Sequence, residues 1–216
     1  MRSGTPPPSA SPSCWAIVPV RALEGAKSRL GEVLDAEERH DLAVALLEGT
    51  VRAAVAARSL AGVVVVSPDP AALAIAEAAG ARPLRQTTSG LNAALAEARA
   101  EALRLGATEI VVLPTDLPRV GPDVLDDLVA EARRTAGPLV LLVPDRHGRG
   151  TNALFLRPPG VIEFAFGGDS RLAHAALAGA AGAPYRELEG PLSMDLDTPE
   201  DLVLAEPLLL GSRHGR

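Results

Sequence analysis

The chain has 216 residues, 47% of them hydrophobic and 2% aromatic, which suits one domain with a full-sized core and is too short for two ordinary domains. Its 21 Lys and Arg against 27 Asp and Glu give a net charge of −6; with so few aromatic rings, this excludes the basic footprint and stacking platforms of a nucleic-acid binder. No apolar run approaches the roughly 20 residues of a membrane span, and the lone Cys14 has neither a disulfide partner nor a zinc ligand beside it, so a soluble, cytoplasmic protein is expected.

Residues 1–13, MRSGTPPPSASPS, lack the apolar segment of a signal peptide and read as a disordered tail, with a domain over 14–209 and a C-terminal tail over 210–216. Within the domain, short and uniformly apolar runs alternate with longer Ala-rich segments, the pattern of a parallel sheet covered on both faces. Strands are expected at WAIVPV (15–20), VVVV (63–66), IVVL (110–113) and LVLLV (139–143). After the first strand, Asp35 caps a helix that runs to about Arg58, Glu38 completes a capping box, and Leu42, Leu46 and Leu47 begin the apolar face. Gly80 and Gly106 stop the next two helices. Pro122 opens a fourth, with Val124, Leu125, Leu128 and Val129 at core spacing. Beyond Pro144 the expected order is a strand at ALFL (153–156), a short helix in DSRLAHAALAG, a strand near YRELE (185–189) and a last helix from Pro199. The fold class is therefore α/β, a single domain with a mostly parallel central sheet and helices on both faces.

Ligands of open α/β sheets bind where the strands end, so the loops after the apolar runs hold the candidate chemistry. RALEGAKSRLG (21–31) places Arg21, Lys27 and Arg29 on a loop punctuated by Gly25 and Gly31, a set suited to a triphosphate, although a solvated surface loop has the same composition. Walker A spacing is absent, which excludes a P-loop. PTDLP (114–118) leaves Asp116 at the mouth of the sheet, where a carboxylate needs a partner, a metal or a turn to cap. In SMDLDTPEDL (193–202), Asp195 and Asp197 alternate in an extended segment and point to one side, as two oxygen donors to one cation must; turn formation is the competing role. Thr198 caps the helix opened by Pro199, and Glu200 and Asp201 are punctuation of its first turn. GRGTNALFL puts Thr151 and Asn152 just before a strand. FGGDSRLAH leads Gly167 and Gly168 into a helix where Asp169 or Ser170 is either a cap or, with Arg171, part of an anion site. His147 and His174 have no partner at a recognisable spacing and receive no role.

Taken in order, WAIVPVRALEGAKSRL, VVVVSPD (63–69), GLNAAL (90–95), LPTDLP and MDLDTPEDL resemble the guanylyltransferases of coenzyme F420 biosynthesis, relatives of the molybdenum cofactor nucleotidyltransferases, over about residues 15–205. Molybdopterin-loading relatives open with a double-glycine loop, L-A-G-G-x-S; PVRALEGAKSRL departs from it and sides with the F420 branch. The resemblance implies a Rossmann-like, GT-A-like nucleotidyltransferase domain that uses Mg2+ to move GMP from GTP to phosphoenolpyruvate or 2-phospho-L-lactate. It also implies that Asp116, Asp195 and Asp197 bind magnesium and that Lys27 acts on the GTP phosphates. Gly90 and Asn92 would face the nucleoside, and Thr151, Gly167 and Ser170 would hold the acceptor. Two alternatives stand beside it: a sugar-phosphate nucleotidyltransferase or nucleotide-sugar glycosyltransferase, and a nucleotide-binding regulatory domain without turnover. The late position of the DLD argues against the first, and the joint presence of Lys27 and three acids against the second. Oligomeric state and the choice between the two phospho-acids are not encoded in these motifs.

Overall fold

The apolar runs pair side by side because each is too hydrophobic for any position but the interior of a covered sheet. The computed structural model describes residues 12–211, with side chains up to residue 205. Strands β1 (Cys14–Pro19), β2 (Leu60–Ser67), β3 (Arg82–Arg85), β4 (Glu109–Val112), β5 (Leu139–Pro144), β6 (Thr151–Arg157) and β7 (Tyr185–Glu187) form one sheet in the order β3-β2-β1-β4-β6-β5-β7. Helices α1 (Ala36–Ala56), α2 (Pro70–Ala78), α3 (Leu91–Arg104), α4 (Pro122–Arg133), α5 (Ser170–Ala180) and α6 (Pro199–Gly211) surround it.

Successive strand residues point to opposite faces and so feed two core layers. Ala16, Val18, Val63, Val65, Val111 and Leu141 pack with Leu47 and Val51 of α1 and Leu125, Leu128 and Val129 of α4. Ile17, Val64, Val66, Ile110, Val112 and Leu142 pack on the other side with Leu95 and Ala98 of α3 and Ala178 of α5. Every residue of β4 and β5 is buried, as strands covered on both faces must be. The capping box of α1 is closed in both directions: Glu38 N–H donates to Asp35 Oδ1 at 2.9 Å, and Asp35 N–H to Glu38 Oε2 at 2.8 Å. Pro122 stands at the first position of α4.

Two features depart from the sequence pattern. β3 was not expected: RPLR is a half-exposed edge strand with a proline and two arginines, so it carries neither an apolar run nor an alternation. β6 was expected, but it runs antiparallel to both β4 and β5, whereas the remaining pairs are parallel. The connection from Pro144 to Thr151 is a turn, too short for the crossover that parallel pairing requires. This reversal brings the first residue of β6 to the edge where β1 and β4 end.

Of the expected tails, residues 1–11 and 212–216 lie outside the described residues. Ser13 is tied to the domain, its N–H donating to Thr108 Oγ1 at 2.8 Å and its carbonyl accepting from Thr108 N–H at 2.9 Å. Among the described residues no helix is long and apolar enough to cross a membrane.

Candidate active site

The loop after β1 is held in place by its neighbour. Val20 N–H donates to the Val66 carbonyl at 2.9 Å, and Leu23 N–H to Asp69 Oδ2 at 2.9 Å, while Asp69 Oδ1 caps α2 through Ala71 N–H. The Leu23 amide, followed by those of α2, holds the Asp69 carboxyl below the usual carboxylate range. Lys27 then adopts a left-handed backbone conformation, φ 53° and ψ 37°, which a non-glycine residue rarely takes. The next turn, Ser28–Leu30, buries Leu30 against Leu196 and Ala205. The side chain of Lys27 is consequently directed inward and is only 11% exposed. Its Nζ donates to the Leu196 carbonyl at 2.7 Å and to Asp197 Oδ1 at 3.1 Å, and lies 3.6 Å from Asp116 Oδ2. Arg29 reaches Asp197 Oδ2 at 3.7 Å from an exposed position.

The acids come from two segments joined through their backbones, for Leu196 N–H donates to the Asp116 carbonyl at 2.9 Å. Leu196 itself is fully buried, and the flanking Asp195 and Asp197 are each partly buried. Thr198 and Asp201 cap α6 reciprocally, Thr198 N–H donating to Asp201 Oδ2 at 2.8 Å and Asp201 N–H to Thr198 Oγ1 at 3.4 Å. The same Asp201 oxygen accepts from Asp197 N–H at 3.0 Å, so the cap also fixes the acid loop. Burial pushes the Asp116 carboxyl above its ordinary pKa; the Lys27 ammonium opposes this, and Asp197 and Asp195 add to it. Asp195 is raised by burial as well, and its Oδ1 is buried without a hydrogen-bond partner.

Acids that repel one another around one ammonium, with an orphaned oxygen among them, have unmet demand for positive charge. The donors are all hard oxygens, the class that magnesium prefers. Among the described residues, no group of three or more His, Cys, Asp or Glu is gathered closely enough to form a complete metal cage. Magnesium does not need one, since it is commonly bound by one or two carboxylates, water and the phosphates of a substrate.

A second group gathers one strand away, because β6 pairs with β4. Thr151 opens β6, and its Oγ1 lies 3.1 Å from His174 Nδ1 in a buried contact. Asn152 Nδ2 donates to the Leu192 carbonyl at 3.0 Å, and its side chain also counters the raised pKa of Asp195, linking this group to the acids. The turn before β6 is pinned to the start of α5: Arg149 pairs with Asp169 at 2.8 Å, Arg171 donates to the Gly148 carbonyl at 2.9 Å, and Arg171 N–H donates to the Arg149 carbonyl at 3.1 Å. Asp169 occupies the N-cap position without making a side-chain cap bond, and Ser170 is the buried first residue of the helix. Helix capping therefore accounts for neither side chain. Thr151 contacts His174, Ser170 lies one helical turn before it, and Ser170 N–H donates to the Gly167 carbonyl at 3.3 Å.

Gly90, at the N-cap of α3, has φ 89° and ψ 156°, a conformation reserved for glycine. Its loop is braced by Glu97, which accepts from Thr87 N–H at 3.0 Å and Thr88 N–H at 2.7 Å. The Asn92 amide is engaged with the FGGD loop in both directions, donating to the Phe166 carbonyl at 3.1 Å and accepting from Phe166 N–H at 2.8 Å. Arg21 is exposed beside β1, and among the described residues no hydrogen bond or ion pair joins it to this constellation. Asp69, Glu97, Asn152 and His174 take positions in the site that the sequence reading did not assign. Pro70 after Asp69 was a usable capping signal, and His174 lies one helical turn beyond Ser170, on the same face. The Glu97 contacts are tertiary and leave no local pattern.

Residues 14–214 match the model of a family described as "Guanylyl transferase CofC like". The chain is 46% identical over 195 residues to a phosphoenolpyruvate guanylyltransferase of Rubrobacter xylanophilus, covering 90% of this chain and 94% of that protein. It is 45% identical over 188 residues to the protein of the same name from Sphaerobacter thermophilus, covering 87% and 89%. Among solved structures, a nucleotidyl transferase from Methanothermobacter shares the fold with a TM-score of 0.65 at 17% identity, covering 92% of this chain and 99% of that one.

Proposed function

Because the chain belongs to the family of CofC-like guanylyl transferases, we propose that it transfers GMP from GTP to phosphoenolpyruvate, forming enolpyruvyl-diphospho-5'-guanosine and pyrophosphate in coenzyme F420 biosynthesis. The observation that carries the reading is the placement of Lys27 between Asp116 and Asp197, at 3.6 and 3.1 Å, beside a strand whose first residue is Thr151. A triphosphate and a phospho-acid are both anions, and the chain brings a cation-demanding acid cluster and the hydroxyls of Thr151 and Ser170 to the same end of the sheet.

In the reaction an acceptor phosphate oxygen attacks the α-phosphorus of GTP. The new P–O bond forms as the bond from the α-phosphorus to the bridging oxygen breaks, and that electron pair leaves on pyrophosphate. The acceptor phosphate is already ionised, so no general base is required. The two side chains that might otherwise suggest one are unsuited to it: burial lowers His174 to about 4 and raises the Cys14 thiol, and Cys14 sits at the opposite end of β1. Lys27 delivers an ammonium to the triphosphate, and Arg29 adds an exposed charge at the rim. Thr151, Gly167 and Ser170 orient the acceptor, and the Gly90 loop adjoins the nucleoside. One or two carboxylates of the set Asp116, Asp195 and Asp197, with water and substrate phosphates, would hold a magnesium ion, which would neutralise the two reactants and align them.

Phosphoenolpyruvate is preferred here to 2-phospho-L-lactate because the relatives at 45–46% identity bear its name. The acidic charge and scarcity of aromatic rings favour no nucleic-acid partner, and a reducing cytoplasm suits the free, buried Cys14. Pyrophosphate release measured with GTP, ATP and CTP against phosphoenolpyruvate, 2-phospho-L-lactate and sugar 1-phosphates tests the assignment. GTP with phosphoenolpyruvate is the expected pair; release with a sugar 1-phosphate and not with either phospho-acid would replace it.

A further inference from the structure

Beside Thr151 lies a buried polar side chain that has no part in the reaction, and it joins β6 to the loop before α5. His174 is fully buried in α5. Its Nε2 lies 3.1 Å from the Ala165 backbone nitrogen, and its Nδ1 lies 3.1 Å from Thr151 Oγ1. The Phe166 ring meets the imidazole edge-on with centroids 4.9 Å apart, and the Phe166 backbone is held by Asn92.

A backbone N–H can only donate, so Nε2 must be an acceptor and carries no proton. The ring then carries its proton on Nδ1, which faces Thr151 Oγ1 and the Ser170 backbone, and to which the threonine can act only as an acceptor. The hydroxyl hydrogen of Thr151 is thereby turned away from the histidine and is free to donate. With the opposite tautomer, Thr151 would have to donate to Nδ1 and would present only a lone pair to an anion. Burial, opposed by a hydrogen bond with the Ser170 backbone, keeps the ring neutral, since protonation would set Nε2–H against Ala165 N–H.

We propose that His174 is a positioning residue for the acceptor: its tautomer makes the Thr151 hydroxyl an obligate hydrogen-bond donor toward the phosphate or carboxylate of the phospho-acid. The inference rests on the guanylyltransferase reading for the identity of that acceptor. It extends to the FGGD loop, because the same ring holds Ala165, two residues before Gly167.

Two measurements test it. In the wild-type protein, 15N-detected imidazole NMR at neutral pH, with the His174 resonance assigned by its loss in His174→Phe, reports the tautomer without any turnover. The expected result is the neutral form protonated on Nδ1; a proton on Nε2, or an imidazolium, overturns the proposal. In kinetics, His174→Phe is expected to raise the KM for phosphoenolpyruvate by up to about ten-fold, as the Thr151 hydroxyl that makes the hydrogen bond loses its fixed orientation, and to leave that for GTP unchanged. His174→Asn, whose amide can donate near the Nδ1 position, restores part of the loss. In a Thr151→Val background, His174→Phe adds nothing further, because the hydroxyl that His174 orients is already gone. Equal increases in both KM values, or an additive double variant, would show a merely structural histidine. Absence of wild-type turnover with GTP and phosphoenolpyruvate would instead refute the substrate assignment and leave the tautomer to be read by NMR.

Discussion

Replacing Lys27 by methionine keeps the length and apolar stem of the side chain and removes its charge. The ammonium donates to the Leu196 carbonyl at 2.7 Å and to Asp197 at 3.1 Å from a position that is only 11% exposed. A hydrogen bond from a charged donor contributes about 1.5 to 3 kcal/mol, and a part-exposed ion pair adds at most about 1 kcal/mol. The backbone strain at Lys27 is the same for methionine, so it does not offset the loss. Lys27→Met should therefore cost about 2 to 3 kcal/mol, which for a domain of this size lowers the melting temperature by about 5 to 10 °C. That loss is measured in chelator. Added magnesium should stabilise the variant more than the wild type, because the acids have lost their internal counter-ion. Turnover with GTP should fall on the order of 10²-fold or more. A melting temperature equal to the wild type in chelator would refute the energetic role of these contacts, and an equal response to magnesium would refute the competition between ammonium and metal.

Asp116→Asn retains the shape of the side chain and removes its charge, so turnover should drop on the order of 10²-fold or more at saturating magnesium while the fold is kept; activity close to wild type would remove Asp116 from the site. Thr151→Val and Ser170→Ala should each raise the KM for phosphoenolpyruvate by about 10-fold or more, with a smaller effect on GTP; a selective rise for GTP would exchange the two pockets. Burial lowers His174 to about 4 in the folded chain from the ordinary imidazole value of 6.5. On acidification the unfolded chain takes up a proton between these values and the folded chain does not, so the stability is complete above 6.5 and is lost as pH falls toward 4. The full loss is about 3 kcal/mol. Denaturant midpoints at neutral pH and near pH 4.5 should therefore converge in His174→Phe relative to the wild type, and parallel shifts in the two proteins would contradict this.

The parts of the fold that were legible in the sequence are those decided by local chemistry. IVVL and LVLLV have no alternative to a doubly covered strand, and Asp35 with Glu38 spells out a capping box that the structure closes in both directions. The direction of β6 was not legible, since an apolar run of four residues carries no sign of strand polarity; only the short turn from Pro144 decides it. β3 was illegible for a different reason, its position at the edge having replaced the apolar pattern with Arg82 and Arg85. In the site, Asp116 stood out because a carboxylate at a strand end is costly, Asp195 and Asp197 because they alternate in an extended segment, and Lys27 because it sits on a glycine-punctuated loop. That Lys27 reaches both acid segments, Asp116 and, across 170 residues of sequence, Asp197, is a tertiary fact. The same applies to His174, whose two partners lie on β6 and on the loop before α5.

The central claim is a chemical one, that this chain joins GMP to a phospho-acid through a diphosphate bond. Incubation of the full chain with GTP, magnesium and phosphoenolpyruvate, followed by mass spectrometry and 31P NMR of the mixture, tests it most directly. The account predicts a product with the mass of phosphoenolpyruvate plus a guanylyl group, two coupled diphosphate resonances, and one pyrophosphate for each molecule formed. Unchanged GTP and phosphoenolpyruvate, or GTP cleaved to pyrophosphate with free GMP and no diphosphate product, would contradict it.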